Sequence, residues 1–462
     1  MCALEINKGF LMHTKKNLSF SSLRSLLSEC FNKIQEFRQN GKISYSMHDV
    51  MMSGFACMYF QDPSLLQFQE RMQKKKQHRN NLATLFGVKD IPKDNQLRNI
   101  VDEVESDEFR YFFEEYIRKL QRSKHLKEYQ ILPNLYLHTL DATGFFSSEN
   151  ISCPCCLTQT HNKDEEDEKI RFMHQALQIA IMHPDKRQVI PLMPEEIKNT
   201  DGQTKQDCEV NAAKRLIGKL KTAHPRLGII LLGDDIYSRQ PMIEEAKNHG
   251  MHYLFVAKPS SHKYLQEWIN AYKNLPSCEH TDFAKGERYV LEWVNGVPLH
   301  GGEGAIAVNY LLCRVYKKDK KTGEEKQAYQ NSWVTDIELK ESVVYKLARG
   351  GRCRWRIENE CFNTLKNQGY HVERNYGHGE KNLCFNFYLF TLIAFSFHQV
   401  HELTDKLYQT CRAGFCSKRL MWEKLRSYID LLIFETWEAL LHFALNPENY
   451  IDTEAVIKLP SG

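Results

Sequence analysis

Three carboxylates stand out by where they fall along the chain. Asp141 closes the run Leu135-Tyr-Leu-His-Thr-Leu, Asp234 follows Leu227-Gly-Ile-Ile-Leu-Leu-Gly233, and Glu358 lies in a helical stretch that begins near Arg354. Two strands ending in aspartate and a helix bringing glutamate from another direction suit a two-metal phosphoryl-transfer site. Strand ends fix two carboxylates rigidly, hard divalent cations prefer carboxylate oxygen, and two ions about 3.5–4 Å apart stabilise both the attacking and the leaving oxygen. An aspartate at a strand end is weak evidence alone, because strands commonly end in Asp or Asn turns.

The elements that must position these groups follow from periodicity. Residues 1–130 read as helical, with apolar residues three and four apart in Leu23–Phe37, His48–Tyr59 and Asn99–Leu120. This part also carries the basic runs Lys74, Lys75, Lys76, His78, Arg79 and Arg118, Lys119, Arg122, Lys124, Lys127, suited to phosphate contacts. From Leu135 the pattern changes to short apolar runs divided by turns: strands at 135–141, 172–182, 188–192, 227–232 and 253–257, with helices at 205–222 and 241–249 between them. Residues 262–345 read as a strand-rich insertion around 289–294, 305–315 and 328–334. Beyond 345 the pattern returns to helix, through 354–366 and 383–403 to about 448. The expected division is a helical N-terminal DNA-binding domain (1–130), an α/β core in two parts (131–261 and 346–403), a β-rich insertion (262–345) and a helical C-terminal region (404–462).

Around the three carboxylates the wording becomes specific. Asp141-Ala-Thr-Gly-Phe-Phe-Ser-Ser, Gly233-Asp234-Asp235-Ile-Tyr-Ser and Arg354-Trp-Arg-Ile-Glu358-Asn-Glu-Cys-Phe-Asn-Thr-Leu-Lys366 resemble the three catalytic motifs of DDE transposases from bacterial insertion sequences. The group resembled most has a β-rich insertion between the second Asp and the Glu. The likeness covers roughly residues 45–400 and continues through Asn367-Gln-Gly-Tyr-His371 and Asn375-Tyr-Gly-His378-Gly. It implies an RNase H-like core in which Asp141, Asp234 and Glu358 bind two Mg²⁺ ions, with Mn²⁺ as a substitute. It also implies water attack at the element's end, then strand transfer by the freed 3′-OH into target DNA, performed by a homodimer on double-stranded DNA.

The family's third motif reads Tyr, two residues, Arg, three residues, Glu, six residues, Lys. Arg354 and Glu358 keep that spacing; Gly351 stands where Tyr is expected, and Lys366 lies eight residues after Glu358 rather than seven. Glu360 and Asp235 are rival carboxylates. The Arg-Trp-x-Ile-Glu wording favours Glu358, and the aromatic Tyr237 three residues on favours Asp234. Arg354, Lys366, Arg352 and Arg356 are the expected phosphate contacts, since Arg binds phosphate through two donors and Lys as a point charge; the alternative is a solvated helix face. Other readings of the whole remain open: a transposase-derived DNA-binding protein without activity, or a metal-dependent nuclease that does not join strands.

Cys153-Pro-Cys-Cys156 has the C-x₂-C spacing of half a zinc site, and His161 is the nearest third ligand; Cys208 or His174 would serve only if folded close. His398 and His401, and likewise His371 and His378, read as structural histidines, and the aromatic run Phe385–Phe397 as core packing. Trp293, Trp333 and Trp355 are read the same way.

Bulk composition excludes rather than identifies. With 462 residues and 42% hydrophobic content the chain can fill sizeable cores, and a net charge of +4 does not announce a nucleic-acid binder. Fourteen cysteines spread through the chain suit reduced thiols better than a disulfide framework. The apolar stretch Leu383–Phe397, interrupted by Asn386, is too short for a membrane span and reads as a buried helix. Glu5, Lys8 and His13 break the N-terminus as a signal segment. No membrane association is expected, and the protein is read as cytoplasmic, acting at the nucleoid.

Overall fold

The computed structural model describes residues 16–73, 80–163, 165, 167–199, 207–319 and 322–452. The basic run Lys74–Arg79, the Glu5–His13 segment and the first two residues of the helix expected from Lys205 lie outside them, as do parts of the Asp164–Glu168 and Lys317–Lys326 turns. The chain forms an α/β protein with a large sheet and many helices, divided into two compact units: residues 124–364, and residues 1–123 together with 365–462.

The unit 124–364 holds every described strand: β1 (Gln130–Leu132), β2 (Leu135–Ser148), β3 (Leu157–His161), β4 (Lys169–Met182), β5 (Ile190–Pro191), β6 (Glu195–Ile197), β7 (Gly228–Gly233), β8 (His252–Val256), β9 (Ser277–Asp282), β10 (Glu287–Pro298), β11 (Ala307–Lys318) and β12 (Glu325–Thr335). They make one sheet in the order β3-β4-β2-β7-β8-β12-β11-β10-β9, with β1 on β2 and β5 and β6 on β4. β2 and β4 are antiparallel; β7 and β8 run parallel to β2. Parallel neighbours need crossovers, supplied by helices Glu209–Ala223 and Gln240–Asn248. Because β7 is covered on both faces, its Ile229-Ile-Leu-Leu232 run is continuously apolar.

Residues 262–345 do not form a separate layer. β9–β12 are an antiparallel meander that joins the same sheet where β12 pairs with β8, through Trp333↔Val256, Val334↔Phe255 and Thr335↔Leu254. A helix over Lys263–Ala271, not anticipated from sequence, precedes it.

Helix Glu341–Arg352 covers one face of this sheet. Its Val344, Leu347 and Ala348 are fully buried in a cluster with Leu137, Ile230, Leu232, Leu254 and Trp333. Side chains two apart on a strand share a face, so Leu137, Thr139 and Asp141 continue one row and Ile230, Leu232 and Asp234 the next.

The other unit is helical. Helix Leu383–Thr404 and the residues after it share one unit with residues 1–123. The reason is that Leu383–Thr404 is apolar on all sides, so it must be surrounded by other helices. By length and hydropathy it would suffice to cross a membrane, yet 94% of its apolar window is buried within the protein. Its Phe397 packs against Phe55 (centroids 5.0 Å) and stacks on Phe112 (5.7 Å), and His401 stacks with Trp437. Asn386, the polar interruption, donates to the carbonyls of Val101 and Val104, closing the end of helix Asp94–Glu103.

Candidate active site

Strand register brings the first two carboxylates together. β2 and β7 pair in parallel up to Thr139↔Leu232, so Asp141 and Asp234, each two residues further on, emerge side by side from neighbouring strands about 4.8 Å apart. Both extend the row of side chains that lies under helix Glu341–Arg352. The helical segment that follows carries Arg354 and Glu358 to the same place: Arg354 donates from Nη1 to Asp141 Oδ2 (3.3 Å) and from Nη2 to Glu358 Oε1 (2.9 Å).

Glycine makes the turn after β7 possible. A β-carbon on Gly233 would stand 2.4 Å from the ring of Tyr237, which is fully buried and closes a single 3₁₀ turn, Asp235–Tyr237. Asp234 caps that turn by accepting from the Ile236 amide at Oδ1 (3.0 Å). Asp235 points elsewhere: it accepts from the Lys258 amide (2.7 Å) and the Ser261 hydroxyl (2.5 Å) and so fastens the loop after β8. Of the rival glutamates, Glu358 is bridged to Asp141 through Arg354, while Glu360 meets Arg187 on the turn after β4 (3.4 Å).

A fourth carboxylate, unmarked in the sequence, joins the group. Glu209 is the first residue of its helix, accepts the Tyr237 hydroxyl, and is bonded by the Ala142 amide, next to Asp141. A glutamate at a helix start is ordinary, since it complements the helix dipole; only the fold shows that this one reaches the site. Tyr237 therefore links the second motif to Glu209.

The electrostatics are those of crowded acids. Burial pushes the Asp141 carboxyl up to about 7; Arg354 opposes this, and Glu209, Glu358 and Asp234 add to it. Burial likewise raises Glu209, with Asp234 contributing. The ligand atoms this group offers are carboxylate oxygens, with Arg354 as the counter-charge between Asp141 and Glu358, and oxygen donors suit a hard divalent cation.

The remaining expected residues fall as follows. Arg352 donates to Glu287 Oε2 (2.9 Å) and to the Tyr289 hydroxyl, and Arg356 to the carbonyls of Pro184 (2.8 Å) and Lys186, so both hold neighbouring strands and turns. Lys366 pairs with Glu373 (2.8 Å). Its extra residue of spacing from Glu358 coincides with a π-helical stretch, Ile357–Phe362; a π turn takes up one residue more than an α turn. Trp333 is fully buried and Trp355 exposed. Cys153 and Cys156 do meet a histidine, but it is His174 rather than His161. The β3–β4 register, Leu157↔Met173, sets Cys156 beside His174, whereas His161 lies at the far end of β3 against Lys169. His398 and His401 are fully buried and held neutral, burial bringing His401 down to about 3.

Residues 200–395 match the family model described as Transposase DDE domain. Over those residues the chain is similar to that domain. The match includes Asp234, Glu358, Arg354 and Glu209 and begins after Asp141, whose strand β2 pairs with β7 inside the matched range. DDE transposases act on DNA and use divalent metals. No curated protein matches the chain.

Proposed function

We propose that this protein is a DNA transposase that cuts at the ends of an insertion sequence and joins them to target DNA, using Asp141, Asp234 and Glu358 as its catalytic carboxylates and Mg²⁺ as its metal. The observation that carries the reading is that Asp141 and Asp234 leave adjacent parallel strands and Glu358 is bridged to Asp141 by Arg354, in a chain whose residues 200–395 match the transposase DDE domain model.

Two Mg²⁺ ions, when bound, supply charge stabilisation to the attacking and leaving oxygens and lower the pKa of water. The protein's own residues prepare the site. Asp141, Asp234 and Glu358 offer oxygens from three directions. Arg354 holds the Glu358 carboxylate by a charge-assisted bond and is within reach of a phosphate once Asp141 is engaged otherwise. Asp141, whose carboxyl burial pushes up to about 7 with its acidic neighbours adding, would give up its proton to solvent on becoming a ligand. Tyr237 and the Ala142 amide orient Glu209 beside them. Double-stranded DNA is the partner, held by a homodimer that brings two ends together, and the cytoplasm is where it works.

The test is cleavage and joining of a labelled duplex bearing the ends of the flanking element, with Mg²⁺ or Mn²⁺. Wild type should yield joined product, and Asp141→Asn, Asp234→Asn and Glu358→Gln none. Binding by wild type with no cutting overturns the reading, and cutting without joining reduces it to a nuclease.

A further inference from the structure

A second cluster of metal-ligating side chains lies in the same unit, apart from the carboxylates. Cys153 and Cys156 sit on the loop between β2 and β3, and His174 faces them from β4. The two sulfurs are 3.7 Å apart, and His174 Nε2 lies 3.5 Å from Cys153 Sγ and 3.4 Å from Cys156 Sγ. A sulfur–sulfur distance near 3.7 Å is far from the roughly 2.05 Å of a disulfide. It is close to an edge of a tetrahedron around zinc: with Zn–S about 2.3 Å and Zn–N about 2.0–2.1 Å, S–S edges are about 3.8 Å and S–N edges about 3.5 Å. All three separations match.

We propose that Cys153, Cys156 and His174 bind one Zn²⁺ ion that clips the loop after β2 to β4. Hydrogen bonding alone explains the triangle poorly, because two sulfurs stand almost equally near one ring nitrogen, which has a single proton or a single lone pair to offer. A cation at the centre satisfies all three. The loop has the turn this requires: the Cys156 amide donates to the Cys153 carbonyl (3.1 Å), and the Cys153 amide points at Cys156 Sγ (3.4 Å), where it stabilises thiolate charge. Behind the histidine, Glu196 Oε1 lies 3.4 Å from Nδ1, a carboxylate behind a histidine ligand that fixes the tautomer presenting Nε2. Phe145 and Phe146 flank the ring at 5.9 and 5.8 Å. Thiolate and imidazole donors select zinc over magnesium, and binding releases two thiol protons to solvent. Water or another donor takes the fourth corner. Gln178, not His174, is the β4 residue opposite Asp141, which sets the clip about 13 Å along the strand from the carboxylates. The zinc is therefore structural and belongs to the frame of β2.

The experiment is elemental analysis of the full-length protein purified without chelator, followed by Co²⁺ substitution. About one zinc per chain is expected, with a thiolate-to-cobalt charge-transfer band after exchange. Zinc should fall below about 0.1 per chain in Cys153→Ser, Cys156→Ser and His174→Ala, and persist in His161→Ala, Cys278→Ser and Asp141→Asn. Should the cysteine variants fail to fold, the cobalt band of wild type decides, since it requires sulfur ligands. Wild type with less than about 0.1 zinc per chain and no cobalt band, or zinc retained in the Cys153→Ser/Cys156→Ser double variant, overturns the proposal.

Discussion

Gly351 lies flat against the indole of Trp333: a β-carbon there would stand 2.4 Å from Cε2 and 2.6 Å from Nε1 of a side chain that is fully buried. The position at which related third motifs carry tyrosine has no room for any side chain here. Gly351→Ala should destabilise the protein by about 1–3 kcal/mol through overpacking, and Gly351→Tyr by more. Chemical denaturation followed by tryptophan fluorescence checks this; unchanged midpoints would mean that Trp333 yields easily.

Asp234 and Asp235 should separate cleanly. Asp234→Asn keeps the amide acceptor of the 3₁₀ turn and should lose DNA cleavage by at least about 100-fold with little change in stability. Asp235→Ala removes the acceptor for the Lys258 amide and Ser261 hydroxyl, and should cost about 1–2 kcal/mol. Paired cleavage assays and melting curves would reverse these roles if Asp235 were the metal ligand.

Titration of Asp141 should be visible in stability. Its carboxyl is raised to about 7 in the folded protein from an unfolded value near 3.9. The folded state therefore holds the proton more tightly, and the stability this confers, complete below about pH 4, is lost as pH rises through 7. In chelator, Asp141→Asn should match wild type at acid pH and exceed it by about 1–3 kcal/mol at pH 8. A constant difference across that range would refute the shift.

Glu209→Gln removes a carboxylate whose charge helps to raise Asp141. The Asp141 titration should move to lower pH, and the Mg²⁺ concentration for half-maximal cleavage should rise several-fold if Glu209 helps to attract cation. Tyr237→Phe, which frees Glu209 from its hydroxyl partner, should change the same two quantities less. Profiles that superimpose on wild type would make Glu209 a bystander.

Arg354→Lys tests whether bridging needs two arms. A guanidinium reaches Asp141 and Glu358 together, and an ammonium offers only a point charge. Cleavage should fall about 10- to 100-fold while metal binding persists; full activity would leave Arg354 with only a structural part.

How much of this was legible in the sequence depends on whether the signal was local. Asp141 and Asp234 could be read because each follows an apolar run whose length and period mark a strand, and register then sets them level. Glu358 was singled out by its neighbours, and one of them, Arg354, is the residue that bridges it to Asp141. Glu209 was not, because nothing about a glutamate at the head of a helix tells which strand end it will meet. His161 was favoured over His174 by closeness in sequence, yet the β3–β4 hairpin folds back so that the residue eighteen positions after Cys156 is the one beside it. Periodicity likewise identified Leu383–Thr404 as a buried helix without saying which helices would bury it.

The long strands β2 and β4, fourteen residues each, would be hazardous at a sheet border, where unpaired amides and carbonyls template pairing with other chains. Among the described strands the sheet order ends instead in β3 and β9, of five and six residues, largely exposed and bearing His161, Glu279, His280 and Asp282, while the short, buried β5 and β6 continue the β3 side along β4. A strand arriving from another molecule finds a short ladder and polar side chains. The sheet can therefore be broad without inviting the edge-to-edge growth that leads to aggregation, so that breadth and dispersal are compatible in one chain.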